Sequence, residues 1–258
     1  MILSRRVALG GVQLDEIHEA IVIRSVDPGI THETIGAVSR MGGFGQRVVG
    51  EHWDTLDVAV HFAIDIPKKQ LEERKAVYDA VIAWAAGKGW LTFNYLNNRR
   101  MWVDKVIFPD SGDLWSWTDE FVLTFRAYNV PFWQEELPNT SGSDLSNGGR
   151  LYVTVGGNVR SVLDVTFQNR SGMTVSNFQI STGIGNITLT GIDLGGSETL
   201  TISHGTDGLM RIRAGSRNVY EKYTGTDDLY VQPGVATVDW SATRAGRITV
   251  QSYGRFIG

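Results

Sequence analysis

Leu56, Val58, Val60, Phe62, Ile64 and Ile66 alternate with Asp57, Ala59, His61, Ala63 and Asp65, a period of two that only a strand lays on one face. The spacing predicts a strand with one buried side. Pro67 then opens a run of helix formers, Lys68 to Ala86, in which Leu71, Lys75, Tyr78, Ile82 and Ala85 share a stripe with Val77, Val81 and Trp84 beside it. Gly87 and Gly89 stand where a C-cap belongs. Three strand-like runs follow, Leu91 to Leu96, Met101 to Phe108 and Trp117 to Tyr128, each bounded by Asn, Asp, Gly or Pro. The expected unit is one strand, one helix and a three-stranded meander.

Ahead of it, Val7 to Leu9 and Val12 to Leu14 flank Gly10-Gly11, the pattern of a tight hairpin whose turn needs positive φ. Ala20 to Val26 reads as a nearly continuous apolar strand closed by Asp27-Pro28-Gly29. Between Ile35 and Val49 a glycine-rich stretch with strand-like flanks predicts a long hairpin arm with a flexible tip around Gly42-Gly43-Phe44-Gly45. Beyond Pro138 the texture changes. Asn139 to Gly149 is polar and glycine-bearing, as a linker is. Runs of β-branched residues then recur between turn signals at Leu151 to Val155, Val159 to Phe167, Val175 to Ile180, Asn186 to Leu189, Thr199 to Ser203, Leu209 to Arg213, Val235 to Trp240 and Arg247 to Tyr253. No amphipathic helix interrupts them, so a β-sandwich or jelly roll is expected.

Composition sharpens this division. Of 30 glycines 19 follow residue 138, whereas seven of the eight tryptophans precede it. A chain of 258 residues is near the length at which one core divides into two. The predicted organisation is therefore residues 1–138, a linker at 139–150 and residues 151–258. A hydrophobic share of 42% against 20% charged excludes disorder as the main state. The net charge of −4 leaves no broad basic surface for nucleic acid. Acid is concentrated early, with 14 basic and 19 acidic residues through Pro138 and 10 and 9 after it. With no cysteine there is neither a disulfide framework nor a thiolate metal site. Arg5 and Arg6 sit within the first apolar run rather than before it, unlike a signal peptide, and no apolar run nears the roughly 20 residues that span a bilayer. A soluble, unexported protein without membrane insertion is expected.

Chemistry finds little purchase. The histidines, His18, His32, His52, His61 and His204, form neither an i, i+4 pair nor an HExxH pattern. Gly42 to Gly45 lacks the Gly-Lys-Ser/Thr of a phosphate loop. The carboxylate pairs Glu72-Glu73, Asp119-Glu120, Glu135-Glu136 and Asp227-Asp228 could serve acid–base chemistry on a sugar, but strand neighbours face opposite ways and Glu72-Glu73 suits the first turn of a helix. No Gly-x-Ser-x-Gly elbow occurs. No catalytic, metal or cofactor-binding residue is assigned, and no cofactor is implied. Trp240, Tyr152, Tyr220, Tyr223, Tyr230 and Tyr253 could stack sugar rings, although Trp240 alternates with Val238 as a core residue does. Trp115 and Trp117, after Asp110-Ser-Gly-Asp113, stand at a hairpin mouth where aromatics suit a protein interface. With Arg40, Phe44 and Arg47 of the arm they form the candidate subunit-interface set.

The order of elements resembles the distal tail proteins (Dit) of siphophages, the long-tailed, non-contractile bacteriophages. The likeness is carried by Ile21 to Val26, Ser39-Arg40 before the glycine-rich tip, Val58 to Ile66, Arg74 to Ile82, Arg99 to Phe108, Phe121 to Tyr128, Asn158 to Asn169, Thr199 to Ile202 and Arg247 to Phe256, and covers nearly the whole chain. It implies a mainly β fold with one α-helix: an N-terminal belt domain, a β-sandwich with helix and hairpin arm, and a C-terminal galectin-like β-sandwich that projects outward. It also implies a hexameric ring at the virion tail tip, joining the tail tube protein to a tail-tip hub and to receptor-binding proteins, with DNA passing through the lumen unbound. Assembly would take place in the bacterial host cytoplasm. Two other readings stand beside it, a carbohydrate-binding sandwich that attaches to a host surface and a glycan hydrolase with a concealed carboxylate pair.

Overall fold

The computed structural model describes residues 5–39, 46–108, 116 and 118–258. The chain is mainly β, with a single α-helix among the described residues, and divides into two compact units, Met1–Trp133 with Ile257–Gly258, and Gln134–Phe256.

In the first unit, β1 (Val7–Leu9) and β2 (Val12–Gln13) make the glycine hairpin, with Gly10 and Gly11 at φ 60° and 87°. A 3-10 turn at Leu14–Glu16 leads to β3 (Ile21–Asp27), the arm strands β4 (Glu33–Ser39) and β5 (Gln46–Trp53), and the alternating β6 (Leu56–Ile64). After α1 (Leu71–Ala85) come β7 (Gly89–Phe93), β8 (Arg99–Val103), β9 (Lys105–Ile107) and β10 (Phe121–Ala127). The period of two in β6 does what it predicts, since Leu56, Val58, Val60 and Phe62 are all completely buried. Its antiparallel partner β10 buries Phe121, Leu123, Phe125 and Ala127 in register with them.

The expected meander is not what forms. The apolar run Met101 to Phe108 is cut at Asp104 into two strands on different sheets, β8 paired with β7 and β9 paired with β10. Asp104 makes the crossing possible. Its buried carboxylate accepts the backbone N–H groups of Tyr128 (2.9 Å) and Asn129 (3.0 Å) and the Asn129 amide (2.8 Å), so the donors freed where the ladder changes sheets are satisfied.

The helix also turns a different face inward than its apolar stripe predicts. Arg74, Val77, Tyr78, Val81 and Ala85 are buried, while Leu71 is 46% exposed and Lys75 lies outside. Arg74, the residue that hydropathy alone would place in water, is the reason. Its guanidinium donates from Nη1 to the carbonyls of Ile64 (3.0 Å) and Ile66 (2.8 Å) and from Nη2 to that of Thr118 (2.7 Å), tying the end of β6 to the entry of β10. Tyr78 and Trp84 then pack on Phe121 and Phe125 of β10.

The second unit begins within β11 (Trp133–Glu135) and is built from β12 (Asn139–Val155), β13 (Ser161–Asn169), β14 (Val175–Ser181), β15 (Asn186–Leu194), β16 (Thr199–His204), β17 (Met210–Ala214), β18 (Arg217–Asn218), β19 (Tyr223–Gly225), β20 (Tyr230–Val231), β21 (Gly234–Ser252) and β22 (Arg255–Phe256). Residues 139–150 are not a linker, and the division between units falls at Trp133, not Pro138. This polar stretch is the first half of β12 and pairs with β21 from Asn139↔Ser252 onward, with register shifts around Ser146. Its Ser, Gly and Asn side chains give no apolar face, so the backbone ladder holds it, helped by polar side-chain contacts such as Asp144 with Arg247 at 3.0 Å and the Asn139 amide with Glu135 at 2.9 Å. The last two expected strands are likewise one. β21 joins β13 through Gly246–Ser252 and β14 through Asp239–Ala242, linking the two halves of one ten-stranded sheet. The core between them includes Phe167, Phe178 and Trp240, whose rings contact one another, Trp240 being buried as its alternation predicts.

Candidate functional site

Two places in the fold have the means to meet something outside the chain. One is the arm. β4 and β5 pair only with each other among the described residues, from Glu33↔Trp53 to Ser39↔Gln46 with a bulge after Gly36. Its base is pinned: Asp54 N donates to His32 O (2.8 Å), Thr31 Oγ1 to Asp54 O (2.6 Å) and Thr34 Oγ1 to the Asp54 carboxylate (2.9 Å), while Trp53 packs edge-on against Phe132 at 5.1 Å. Above the base, Ile35 is 55% exposed. A ribbon of two strands with both edges open is marginal alone in water and is a template for another surface. The two strands of the predicted hairpin are thus formed, and its expected tip around Gly42 to Gly45 lies outside the described residues.

Of the predicted interface residues, Arg40, Phe44, Trp115 and Trp117 lie outside the described residues. Arg47 falls on β5 opposite Val38.

The second place is a polar cluster in the Gln134–Phe256 unit. His204, with 4% of its side chain exposed, closes β16. Its Nδ1 lies 2.8 Å from Asp164 Oδ1 of β13, and its Nε2 faces Asp228 Oδ1 at 3.3 Å. Asp228 Oδ2 in turn accepts the Tyr230 hydroxyl at 2.7 Å, and the Arg160 guanidinium lies over the Tyr230 ring at 4.7 Å.

Burial works against charge on His204, but the hydrogen bonds and charges of Asp164 and Asp228 outweigh it and raise its pKa above the ordinary 6.5. For Asp228 burial acts upward, and the hydrogen bonds of His204 and Tyr230 prevail to hold the carboxyl below the usual range. Burial and the Asp228 hydrogen bond push Tyr230 up to about 12. Burial lowers Arg255, which adjoins the same charges. The two aspartates address opposite nitrogens of the ring, so the three groups do not converge on a metal ion.

Asp228 also reaches a cleft of about 580 Å3 lined by Leu209, Met210, Arg213, Asn218, Tyr220 and Asp227 among others. Sequence spacing gives no sign of this assembly, because Asp164, His204 and Asp228 come from separate strands and turns. A trace remains at His204, which continues the buried phase of Leu200 and Ile202, whereas Asp164 sits with Thr166 and Gln168 on the polar phase of β13. The other carboxylate pairs disperse. Glu120 engages His61 at 2.6 Å, Asp119 engages Lys68 at 2.9 Å, and Glu135 accepts Gly254 N and the Asn139 amide.

No protein-family model matches the sequence, and no curated protein matches it. Among solved structures, the fold is similar to that of Dit (gp 19.1) of phage SPP1, described as a paradigm of the hub adsorption apparatus in phages that infect Gram-positive bacteria. The alignment has a TM-score of 0.64 at 10% identity and covers 98% of this chain and 99% of that one. Two structures of the phage p2 baseplate in its activated conformation, with Sr and with Ca, align at a TM-score of 0.46 and 8% identity over 96% and 97% of this chain and 97% and 98% of theirs. At such identities the likeness to SPP1 Dit is one of fold.

Proposed function

We propose that the chain is a structural protein of a long, non-contractile phage tail, forming a six-membered ring at the distal end that joins the tail tube to the host-recognition apparatus. The observation that carries this is the end-to-end likeness to SPP1 Dit, which takes in both units rather than one common module. The arm adds a physical reason. A closed ring needs two unlike surfaces on each subunit, one reaching and one receiving, and the β4–β5 ribbon with its unpaired edges is suited to reach.

On this reading the Met1–Trp133 unit forms the belt, with Arg40, Phe44, Arg47, Trp115 and Trp117 in the contacts between subunits. The tube protein and a tail-tip hub meet the ring, receptor-binding proteins attach at its periphery, and the protein works by assembly rather than catalysis. An acidic excess through Pro138 would keep a channel lining from retaining DNA as it passes. The assembly state of the purified chain tests the reading, a closed ring of six being the expected species.

A further inference from the structure

The cleft beside β17 has more structure than a ring subunit requires. Its base is apolar, with Met210 and Ile212 buried beneath it. On one wall the 3-10 turn Tyr220–Lys222 presents Tyr220, 44% exposed and backed by the Tyr223 ring at 5.3 Å. The same turn is fixed to its neighbour, since Tyr220 N donates to Asn218 Oδ1 at 3.0 Å, which leaves the Asn218 amide N–H groups to the cleft.

On the other wall Asp228 is clamped from behind by Tyr230 and His204. An acceptor held by groups behind it loses little freedom when a ligand arrives. Arg213 makes no ion pair among the described residues, whereas Arg211 is spent on Asp207 at 2.6 Å.

The charges decide the ligand class. A phosphate or carboxylate would confront Asp227 and Asp228, and a cation would confront Arg211 and Arg213. An uncharged ligand with one apolar face and many hydroxyls meets neither penalty, and the volume lies within the range of small-molecule sites. We propose that this cleft is a saccharide-binding site, in which a neutral pyranose stacks on Tyr220 while its hydroxyls donate to Asp228 and accept from Asn218 and Arg213. All of its groups lie in the Gln134–Phe256 unit, which the proposed ring reading leaves outside the belt.

The test uses the full chain and ligand-observed NMR with the methyl glycosides of glucose, galactose, mannose, rhamnose and N-acetylglucosamine. At least one is expected to bind saturably, and Tyr220→Ala, a surface change, to weaken it tenfold or more. Asp228→Asn should do the same. Tyr152→Ala, which removes a still more accessible ring on β12 outside the cleft, should leave binding unchanged. No binding by any of the five, binding that survives Tyr220→Ala, or binding lost with Tyr152→Ala each overturns the proposal.

Discussion

Replacing Arg74 by Met separates the role of its guanidinium from that of its aliphatic stem, because Met fills similar apolar volume and donates nothing. The side chain is 2% exposed and donates to the carbonyls of Ile64, Ile66 and Thr118. Hydrogen bonds from a charged donor contribute about 1.5–3 kcal/mol each, so the gross loss is several kcal/mol. Against it stands the desolvation cost of the buried cation, itself several kcal/mol, which the substitution removes. The carbonyls left without partners tip the balance, and a net loss of about 2–4 kcal/mol is expected.

Urea unfolding followed by tryptophan fluorescence reads this directly, since seven of the eight tryptophans lie in the Met1–Trp133 unit. Arg74→Lys should cost at least as much, because a single ammonium keeps the buried charge but cannot span three carbonyls as the fork does. A Met variant within about 0.5 kcal/mol of the parent, or a Lys variant of full stability, would refute the reasoning.

The His204 cluster makes stability depend on pH. Its raised pKa means that its contribution is complete below the ordinary 6.5 and fades as pH rises through the folded value; Asp228, held low, contributes above 3.8 and fails as pH falls through its own folded value. The thermal midpoint of the Gln134–Phe256 unit should therefore fall between pH 6 and pH 9, and His204→Gln should flatten that slope; an unchanged slope would remove His204 from the account. Gly29, at φ +66° after Asp27-Pro28, has no room for a Cβ beside the Asp57 carbonyl, whereas Gly10, at φ +60°, faces open space. Gly29→Ala should cost about 2–4 kcal/mol and Gly10→Ala only about 1–2 kcal/mol in the same fluorescence assay, and equal costs would show that the clash is relieved.

Where a residue's own character set its environment, the sequence could be read. The period of two through Leu56–Ile66, the helix after Pro67, the glycine hairpin, the arm and the crowded strands after Leu151 all follow from local pattern. What escaped depends on partners far along the chain. Arg74 is buried because carbonyls from elements before and after the helix need donors. Asp104 divides an apolar run because two sheets meet there. Residues 139–150 form a strand because β21 is present to pair with them. The Asp164–His204–Asp228 cluster is invisible for the same reason: strand order brings together groups that spacing keeps apart.

The claim of a tail-tip ring is met most directly by light scattering on the purified chain as it leaves a sizing column, with negative-stain images of the same fraction. Six copies of the 28.5 kDa chain give 171 kDa, and the account predicts that mass or its double, with a central hole and six-fold outline. A strict monomer at every concentration, both alone and after co-expression with the tail proteins of the same particle, would contradict it.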